Sequence, residues 1–343
     1  MSAAITLTEK GLVPDPLVRW GIRRLLHQRL AEQRRLGPPS NAVRAFVEEM
    51  RRAPVALHTD AANEQHYEVP AEFFQAALGR HLKYSSAWWD ETTPDLDAAE
   101  ARMLAITAER AGLTDGQRIL ELGCGWGSLS LWMAEHYPQA TIVSVSNSAS
   151  QRRYITAQAE DRGLRNLEVR TADINEFEPH ATFDRVVSVE MFEHVRNWEA
   201  LLGRVEGWLA PGGRLFLHVF AHREYAYPFE TEGASNWMGR YFFTGGMMPS
   251  HDLPEQIDSG FEVEQSWVVD GTHYARTAEA WLDNTDRRRR QLLPVLEATY
   301  GVRDAAVWFR RWRLFFLACA ELFAWDSGKE WHVSHHLLKR RGE

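Results

Sequence analysis

Residues 118–127 have the sequence RILELGCGWG, in which a short apolar run leads directly into a glycine-rich loop. The run from Arg118 to Leu122 predicts a buried strand, because it is short, mostly apolar and bounded by a strong turn signal. Glycine lets the backbone turn sharply and approach a ligand, and the helix expected after Gly127 would point its positive end at that ligand. The segment therefore indicates the strand–loop–helix unit of an α/β fold.

The same alternation of apolar runs and helical stretches continues towards the C-terminus. Further strands are predicted at Thr141 to Val145, Leu167 to Thr171, Asp184 to Glu190, Arg214 to Phe220, Phe261 to Val269 and Trp331 to Leu338. Helices are predicted through His136, through Arg162 and from about Asn197 to Leu209. A turn is predicted at Pro211-Gly212-Gly213, and a long helical insertion from Thr277 to about Leu322. This order is typical of a Rossmann-like, doubly wound sheet, here with seven strands.

The first third of the chain has a helical pattern instead. From about residue 15 to residue 55, apolar residues such as Leu17 and Trp20 recur at helical spacing between arginines. A basic amphipathic helix can lie on a membrane surface, but we favour a solvated cover on the domain. We therefore predict a helical region over residues 1–112 that covers the site, and a core with helical insertions over residues 113–343.

The composition indicates a globular protein. Hydrophobic residues make up 45% and charged residues 25%, and the net charge of −8 provides no positive field for nucleic acid. The two cysteines, Cys124 and Cys319, cannot form a disulfide framework, and the start of the chain lacks the features of a secretory signal. The longest apolar stretch, Leu314 to Trp325, is too short to span a bilayer. We expect a cytoplasmic protein with no nucleic-acid partner and no stable membrane association.

Polar residues that suit a nucleoside follow the predicted strands. Ligands of such sheets bind at the carboxyl ends of the strands. The candidates are Gly123 and Gly125 in the loop, Asn147 and Gln151 after the second strand, and Asp173 and Ile174 after the third. Asn147 can bond ribose hydroxyls, and Asp173 can accept an adenine amino group beside an apolar face. Since the loop lacks the Lys-Ser/Thr of a phosphate-binding loop, this spacing indicates S-adenosylmethionine rather than a nucleoside triphosphate.

The stretch Glu190-Met191-Phe192-Glu193-His194 follows the fourth strand, where the reactive centre of such a cofactor would lie. Methyl transfer needs a neutral nucleophile held close to the sulfonium, so positioning does most of the work. A carboxylate and an imidazole can remove a proton from the acceptor, or orient a neutral amine and stabilise its developing charge. Glu193 and His194 are therefore the candidate catalytic residues.

Several motifs resemble those of the cyclopropane-fatty-acid synthase superfamily. They are Asn63 to Pro70, Leu82-Lys83-Tyr84-Ser85, Glu121 to Ser130, Glu190 to His194, Tyr241 to Gly246, His273-Tyr274-Ala275 and Ala320 to Phe323. Within that superfamily they look like the motifs of coclaurine N-methyltransferases, which methylate benzylisoquinoline alkaloid amines, and the similarity covers nearly the whole chain. The resemblance implies a class I methyltransferase core and a small-molecule amine as acceptor, and it leaves homodimer formation open.

The resemblance also implies roles for individual residues. The cofactor-binding set would be Tyr84, Ser85, the glycine loop, Asn147, Gln151 and Asp173. The pair Glu193 and His194 would act at the acceptor nitrogen, with Glu190 and Glu68 as further catalytic candidates nearby.

Methylene transfer to an unsaturated lipid is the alternative activity. The lipid-cyclopropanating branch of the superfamily holds a bicarbonate base, and the matching positions here are Ser86, Glu193, His218 and Tyr274. Ser86 stands where that branch has a cysteine, while the other three residue types are kept. A cofactor-binding protein without catalysis is a third hypothesis, which the pair Glu193 and His194 argues against.

Four further patterns in the sequence are weaker indications of function. His332 and His336 would lie on the opposite strand face from His335, so no metal site is predicted there. The run Arg287 to Arg290 predicts a solvated helix face, and Cys319 a core position. Candidate aromatic walls of an acceptor pocket are Trp88, Trp89, Phe242, Phe243, Trp325 and Trp331.

Overall fold

Seven strands form the central sheet of the computed structural model, which describes residues 3–57, 69–233 and 236–343. The sheet contains β1 (Arg118–Leu122), β2 (Thr141–Ser146), β3 (Leu167–Thr171), β4 (Phe183–Val189), β5 (Leu209–His222), β8 (Phe261–Val269) and β9 (Trp331–Arg340), while β6 (Tyr227–Pro228) pairs separately with β7 (Met247–Met248). The strand order is β3-β2-β1-β4-β5-β9-β8, with β1 to β5 parallel and both β9 and β8 antiparallel to their neighbours. The predicted seven-stranded, doubly wound sheet is confirmed.

Both faces of this sheet are buried, which explains why its central strands are almost continuously apolar. Ile119 packs in a cluster with Leu104 on one face, whereas its neighbour Leu120 packs with Val47 on the other face. Because side chains alternate along a strand, each central strand contributes to two separate cores.

The helices follow the predicted alternation. They are α1 (Ala3–Glu9), α2 (Asp15–Arg35), α3 (Pro39–Met50), α4 (Ala71–Ala77), α5 (Leu96–Arg110), α6 (Ser128–His136), α7 (Ala149–Asp161), α8 (Trp198–Trp208), α9 (Trp237–Tyr241), α10 (Leu253–Gln256), α11 (Gly271–Arg287), α12 (Arg289–Tyr300) and α13 (Ala305–Ala324). Asn197 caps α8, since its side chain accepts a hydrogen bond from the Ala200 N–H. Within the described part of the chain, no helix is long and apolar enough to cross a membrane.

The helical insertion starts earlier than predicted and consists of α11, α12 and α13. Asp270 caps α11 by accepting a bond from the Thr272 N–H, so the helix begins at Gly271 rather than at Thr277. A side chain at Gly271 would lie 2.1 Å from the Trp331 carbonyl oxygen, so this tight packing against β9 needs glycine. The apolar periodicity indicated the insertion, but the cap sets its first residue.

The turn predicted at Pro211-Gly212-Gly213 is a bulge inside β5 instead. The strand already pairs with β4 at Leu209, and the register then shifts before Arg214 pairs with Arg185. Gly212 has φ of +72°, which other residues adopt only with strain. The turn chemistry was recognised correctly, but the chain continues in the same direction afterwards.

Helix α2 buries only part of its apolar surface. Leu30 is buried, whereas Leu17 and Trp20 are 60% and 61% exposed. On the inner side, Arg19 and Arg23 both donate to the carboxylate of Glu321 on α13. Ion pairs therefore hold this helix against α13 together with apolar packing.

Candidate active site

Two adjoining cavities open at the carboxyl ends of the parallel strands. The first cavity is lined by Lys83, Tyr84, Ser85, Glu190, His194, Phe220, Phe243, Tyr274 and Phe315, among others. The second cavity is lined by Asn147, Asp173 and Ile174, among others, and both are lined by Gly123, Gly125, Gln151, Met191 and His194. Every residue predicted to bind the cofactor thus lies at one of these connected spaces.

The predicted catalytic residues are placed differently from one another. Glu190 and His194 line the first cavity. Glu193 is fully buried and lies behind the wall rather than in it. Glu68 lies outside the described residues.

The loop after β1 has a shape that only glycine permits. Gly123 and Gly127 have φ of +79° and +81°, in the left-handed region. A Cβ atom at Gly123 would come within 2.5 Å of the Met191 side chain, and one at Gly127 within 2.6 Å of Ile155. The Gly123 and Cys124 N–H groups both donate to the Val145 carbonyl oxygen at 3.0 Å, which ties the loop to β2. The backbone therefore forms a fixed wall where the two cavities meet.

Glu121 anchors this loop from below. Its buried carboxylate accepts hydrogen bonds from the hydroxyls of Ser130 on α6 and Ser144 on β2. Burial raises the pKa of Glu121 to about 7, although both hydroxyls favour the ionised form. The carboxyl group thus links three elements around the loop.

Gln151 supplies a donor to both cavities. Its amide oxygen accepts a bond of 2.6 Å from the Ser146 hydroxyl, which leaves Nε2 as a buried donor without a partner among the described residues. Nearby, Asp173 accepts bonds from the backbone and side-chain nitrogens of Asn175 at 2.8 and 2.9 Å. A ligand oxygen in the cavity would complete the hydrogen bonding of Gln151.

The segment before Tyr84 and Ser85 is held by a buried carboxylate. Glu100 accepts bonds from the N–H groups of Gly79 and His81, both at 2.9 Å. Leu82 then takes a positive φ of 51°, and the buried Lys83 ammonium donates to the Ser85 hydroxyl and, at 2.7 Å, to the Ser86 carbonyl. Burial lowers the pKa of Lys83 to about 8. Lys83 belongs to one of the sequence motifs, but the sequence did not predict its role.

Glu190 is the most constrained side chain of the first cavity. Its φ of +47° places it in the left-handed region, which costs free energy in a non-glycine residue and is most common at functional sites. Its carboxylate accepts bonds from the Ser86 N–H at 3.1 Å and the Tyr274 hydroxyl at 2.6 Å, and its Oε1 lies 3.3 Å from His218 Nε2. Burial raises the pKa of Glu190 to about 7, opposed chiefly by the charge of Lys83.

These contacts involve three of the four positions that match a bicarbonate-binding set. The Ser86 N–H and the Tyr274 hydroxyl donate to the Glu190 carboxylate, and His218 lies within hydrogen-bond distance of it, while Glu193 accepts from the Phe220 N–H at 2.7 Å instead. The chain's own carboxylate therefore occupies the donors that a small external anion would need.

Burial shifts the pKa values of Glu193 and His194 towards their neutral forms. Burial raises the pKa of Glu193 well above its usual range, and the neighbouring Glu190 adds to this effect. Burial lowers the pKa of His194 to about 4, and its ring stacks on Phe243 with the centroids 5.5 Å apart. The Glu193 Oε2 atom has no hydrogen-bond partner among the described residues, although it is buried. A neutral imidazole thus lines the cavity, while an unpartnered carboxyl oxygen lies buried behind its wall.

Of the six predicted aromatic wall residues, Phe242 and Trp331 belong to the buried core, and Trp88, Trp89 and Trp325 pack against that core partly buried. Of the predicted set only Phe243 lines the first cavity, where Phe220, Tyr274 and Phe315 join it. Trp88 instead stacks on His273, and Trp331 donates to the Tyr227 hydroxyl. Phe220 could have been found from its place at the end of a strand, whereas no local signal marks Phe315 on α13.

The histidines of strand β9 are divided between the two faces of the sheet. His335 pairs with His218, whereas His332 and His336 face His251 on the other side of the sheet, as the alternation predicted. Within the described ranges, no three His, Cys, Asp or Glu residues could jointly hold a metal ion. Cys319 is buried in α13, which raises the pKa of its thiol.

The two cavities fit S-adenosylmethionine. A Cβ at Gly123 would collide with the Met191 side chain, which lines both cavities, and the unpartnered Gln151 Nε2 can donate to a hydroxyl or carboxylate oxygen. Asn147, Asp173 and Ile174 offer polar and apolar contacts in the second cavity, at the strand ends where a nucleoside binds in this fold. The first cavity places a carboxylate and an imidazole beside the same loop.

Comparison with known proteins agrees with this geometry. A family profile described as mycolic acid cyclopropane synthetase matches residues 57–333. The (S)-coclaurine N-methyltransferase of Thalictrum flavum subsp. glaucum is 33% identical, with 97% of this chain and 94% of that protein covered. The pavine N-methyltransferase of the same plant is 30% identical over 94% of this chain and 89% of its own length.

A solved structure extends the similarity to three dimensions. Coclaurine N-methyltransferase bound to N-methylheliamine and S-adenosylhomocysteine superposes with a TM-score of 0.94 at 33% identity, covering 98% of this chain and 99% of that chain. The chain therefore belongs to the mycolic acid cyclopropane synthetase family and is an S-adenosylmethionine-dependent methyltransferase.

Proposed function

We propose that the protein methylates the amine nitrogen of a benzylisoquinoline- or tetrahydroisoquinoline-type alkaloid, or of a similar amine. The observation that carries this proposal is the first cavity, where Glu190 and His194 lie beside the glycine loop among aromatic side chains. The names and near full-length coverage of the relatives support the same acceptor class.

The protonation states suit an amine acceptor. When bound, S-adenosylmethionine supplies an electrophilic methyl group, which only a neutral amine attacks. An amine that enters as its ammonium ion must first lose a proton, and the Glu190 carboxylate, with its pKa near 7, can accept it. The neutral His194 can accept or donate a hydrogen bond without adding positive charge next to a cation. Positioning and proton acceptance are thus the contributions of this chain.

We assign Glu193 and His194 to the acceptor nitrogen, with Glu190 as proton acceptor and Glu68 as a further candidate. The support for Glu193 is its place next to His194 in the turn after β4 and its buried Oε2, which has no hydrogen-bond partner among the described residues. We also assign cofactor binding to Tyr84, Ser85, Gly123, Gly125, Asn147, Gln151, Asp173 and Ile174. Their support is their place at the two cavities.

Label transfer tests the reaction. The purified protein is incubated with methyl-labelled S-adenosylmethionine, separately with a panel of benzylisoquinoline amines and with unsaturated phospholipid vesicles with and without bicarbonate. We expect label on amine nitrogen, located by mass spectrometry. Label found only in lipid would overturn the proposal in favour of cyclopropanation, and label found in no acceptor would favour a cofactor-binding protein without catalysis.

Two variants test the assigned roles. Glu193→Ala and His194→Ala should each lower turnover by about 10²-fold or more, while cofactor affinity measured by calorimetry is largely kept. The exposed Glu72→Ala and His180→Ala serve as controls and should leave both quantities unchanged. Near-normal turnover in both active-site variants would show that the chemistry is assigned to the wrong residues.

We further propose that residues 1–112 act as a cover for the core at 113–343, and that the protein is cytoplasmic and can form a homodimer. Lys83, Tyr84 and Ser85 support the first point, because they come from the N-terminal region and line the first cavity. Light scattering measures the assembly, and vesicle and nucleic-acid sedimentation assays should show no binding.

A further inference from the structure

A line of hydrogen bonds leads from the first cavity across the sheet. His218 on β5 and His335 on β9 are direct cross-strand partners, and both side chains are completely buried. His218 Nδ1 lies 2.8 Å from His335 Nε2, and His335 Nδ1 lies 2.8 Å from an Arg110 guanidinium nitrogen. At the other end, His218 Nε2 lies 3.3 Å from Glu190 Oε1. Four side chains from four separate segments thus form one continuous chain.

The chemistry of the end groups fixes the direction of every bond. A guanidinium can only donate, so His335 Nδ1 must be an acceptor. Burial lowers the pKa of His335 and of His218 well below the usual value, so each ring is neutral and carries one proton. The His335 proton is therefore on Nε2 and is donated to His218 Nδ1. The His218 proton is then on Nε2 and is donated to Glu190.

We propose that Arg110 and His335 are positioning residues for methyl transfer, because through His218 they present a fixed hydrogen-bond donor to the Glu190 carboxylate. Without them, His218 could move its proton to Nδ1 and accept a bond from a protonated Glu190 instead. This relay, formed by Arg110, His335 and His218, thus favours the ionised form of Glu190, which is the form that can take a proton from the substrate. In its catalytic consequence, the inference rests on the proposed role of Glu190.

The surroundings of the relay are otherwise apolar and aromatic. The His335 ring packs edge-to-face on Phe216, and the Arg110 guanidinium lies 5.1 Å from the Trp267 ring centroid. Trp267 pairs with His335 across β8 and β9, and His335 pairs with His218 across β9 and β5, so these three residues lie in one row of the sheet. Since hydrogen bonds strengthen in such surroundings, a donor at the far end can influence Glu190 across two rings.

Other charged and polar groups also face Glu190 and must stay constant in any test. They are Lys83 and the Ser86 N–H from the segment before α5, Glu193 and His194 from the turn after β4, Tyr274 from α11 and Cys319 from α13. None of them contacts Arg110 or His335 through a hydrogen bond in the described structure. Substitutions at the far end of the relay therefore change one donor and leave these groups in place.

The first experiment compares the pH dependence of kcat/KM among variants. His335→Phe keeps a ring but removes the donor, whereas His335→Gln keeps an amide donor near the position of Nε2. We expect the acidic limb to move to higher pH by about one unit in His335→Phe, less in Arg110→Gln, and least in His335→Gln. The substrate amine ionises in the same way in assays of the wild type and of every variant, so differences between their pH profiles report on the enzyme.

His336→Gln is the matched control. This residue is equally buried and adjacent on β9, but it faces Ser266 and His251 on the opposite side of the sheet. The acidic limb of the pH profile should not move in His336→Gln. The proposal would be overturned if the acidic limb stayed in place in His335→Phe and Arg110→Gln while activity fell equally at every pH. The relay would then have only a structural role.

A second measurement does not depend on turnover. Nitrogen-15 NMR of histidine-labelled protein should show His218 and His335 both protonated at Nε2, and carbon-13 NMR should show the Glu190 carboxyl titrating at higher pH in His335→Phe. If this shift is present but no acceptor is methylated, the proposed function fails while the relay stands. Protonation of either ring at Nδ1 would contradict the relay even in an active enzyme.

Discussion

The two cavities are built in contrasting ways. The second cavity and the loop beside it come mainly from residues 121–174, one continuous stretch in which each strand end contributes its next few residues. The first cavity collects side chains from distant segments, including Lys83, Glu190, Tyr274 and Phe315. The second cavity is shaped mostly by backbone, whereas the first cavity depends on buried charged and aromatic side chains. Substitutions should therefore affect them through different measurable quantities.

The largest contrast should come from two buried glutamates whose pKa values are both raised to about 7 by burial, Glu190 and Glu121. Glu190→Gln should lower kcat by about 10²- to 10⁴-fold, because an amide cannot accept the substrate proton. Its NH₂ group would also face the Ser86 and Tyr274 donors. Glu121→Gln should weaken the loop and raise the KM for the cofactor, with kcat at saturating cofactor nearly unchanged.

Steady-state kinetics with both substrates varied separates these outcomes. The conservative Glu190→Asp serves as a partial rescue, since it keeps the carboxylate but shortens its reach. If Glu121→Gln lowered kcat as strongly as Glu190→Gln, it would be wrong to assign Glu121 to cofactor binding and Glu190 to the chemical step.

Next in size is the substitution of a glycine in the loop wall. Gly123→Ala forces a positive φ on alanine and brings its Cβ within 2.5 Å of the Met191 side chain. The strain and the overpacking together should cost about 2–4 kcal/mol, so cofactor affinity should fall by more than tenfold. Gly116→Ala is a matched control, because its φ is +83° but no atom lies within 4 Å of the added Cβ. Calorimetric affinities that fall equally in both variants would show that crowding at Met191 contributes nothing.

The sequence predicted the second cavity better than the first for the same physical reason. Strand order and the glycine loop follow from local periodicity, and the position of Asn147 and Asp173 follows from the rule that ligands bind at strand ends. The structure places both residues at the second cavity. Backbone-defined features are local, so a pattern of neighbouring residues is enough to find them.

The first cavity could be predicted only in part. The segment around Glu190 was recognised, but the contacts of Glu190 with Ser86, His218 and Tyr274 join residues far apart in the chain. The pairing of His218 with His335 depends on the register of two antiparallel strands, which no local pattern specifies. The place of Phe315 at the wall depends on how α13 packs over the sheet.

Buried histidines outside both cavities should give a smaller, pH-dependent effect on stability. Burial lowers the pKa of His336 to about 3 and that of His332 to about 4. At these two residues the unfolded chain therefore binds more protons than the native protein between about pH 4 and 6.5, and their contribution to stability falls as the pH drops through that range. His336→Gln should make this slope shallower by up to about 1.4 kcal/mol per pH unit, measured by urea unfolding.

The comparison with wild type removes opposing contributions. The raised pKa values of Glu100, Glu121 and Glu190 act in the other direction, since stability from these groups is lost as the pH rises from about 4.5 to 7. They are the same in both proteins and cancel in the difference. The exposed His27→Gln is the control. A slope changed equally by both substitutions would exclude burial as the cause.

The smallest effect should distinguish the proposed helical cover of the first cavity from the residues that bind the cofactor. Arg19 on α2 donates to Glu279 on α11 and to Glu321 on α13, the helix that also carries Phe315. Arg19→Ala should lower the free energy of unfolding by about 1 kcal/mol and raise the KM for the amine slightly, without changing cofactor affinity, because only the cover loosens. Arg287→Ala removes an exposed pair with Asp283 and should change neither quantity measurably. If Arg19→Ala weakened cofactor binding as much as amine binding, the cover would act on both cavities, and their independence would be lost at the helical layer rather than in the sheet.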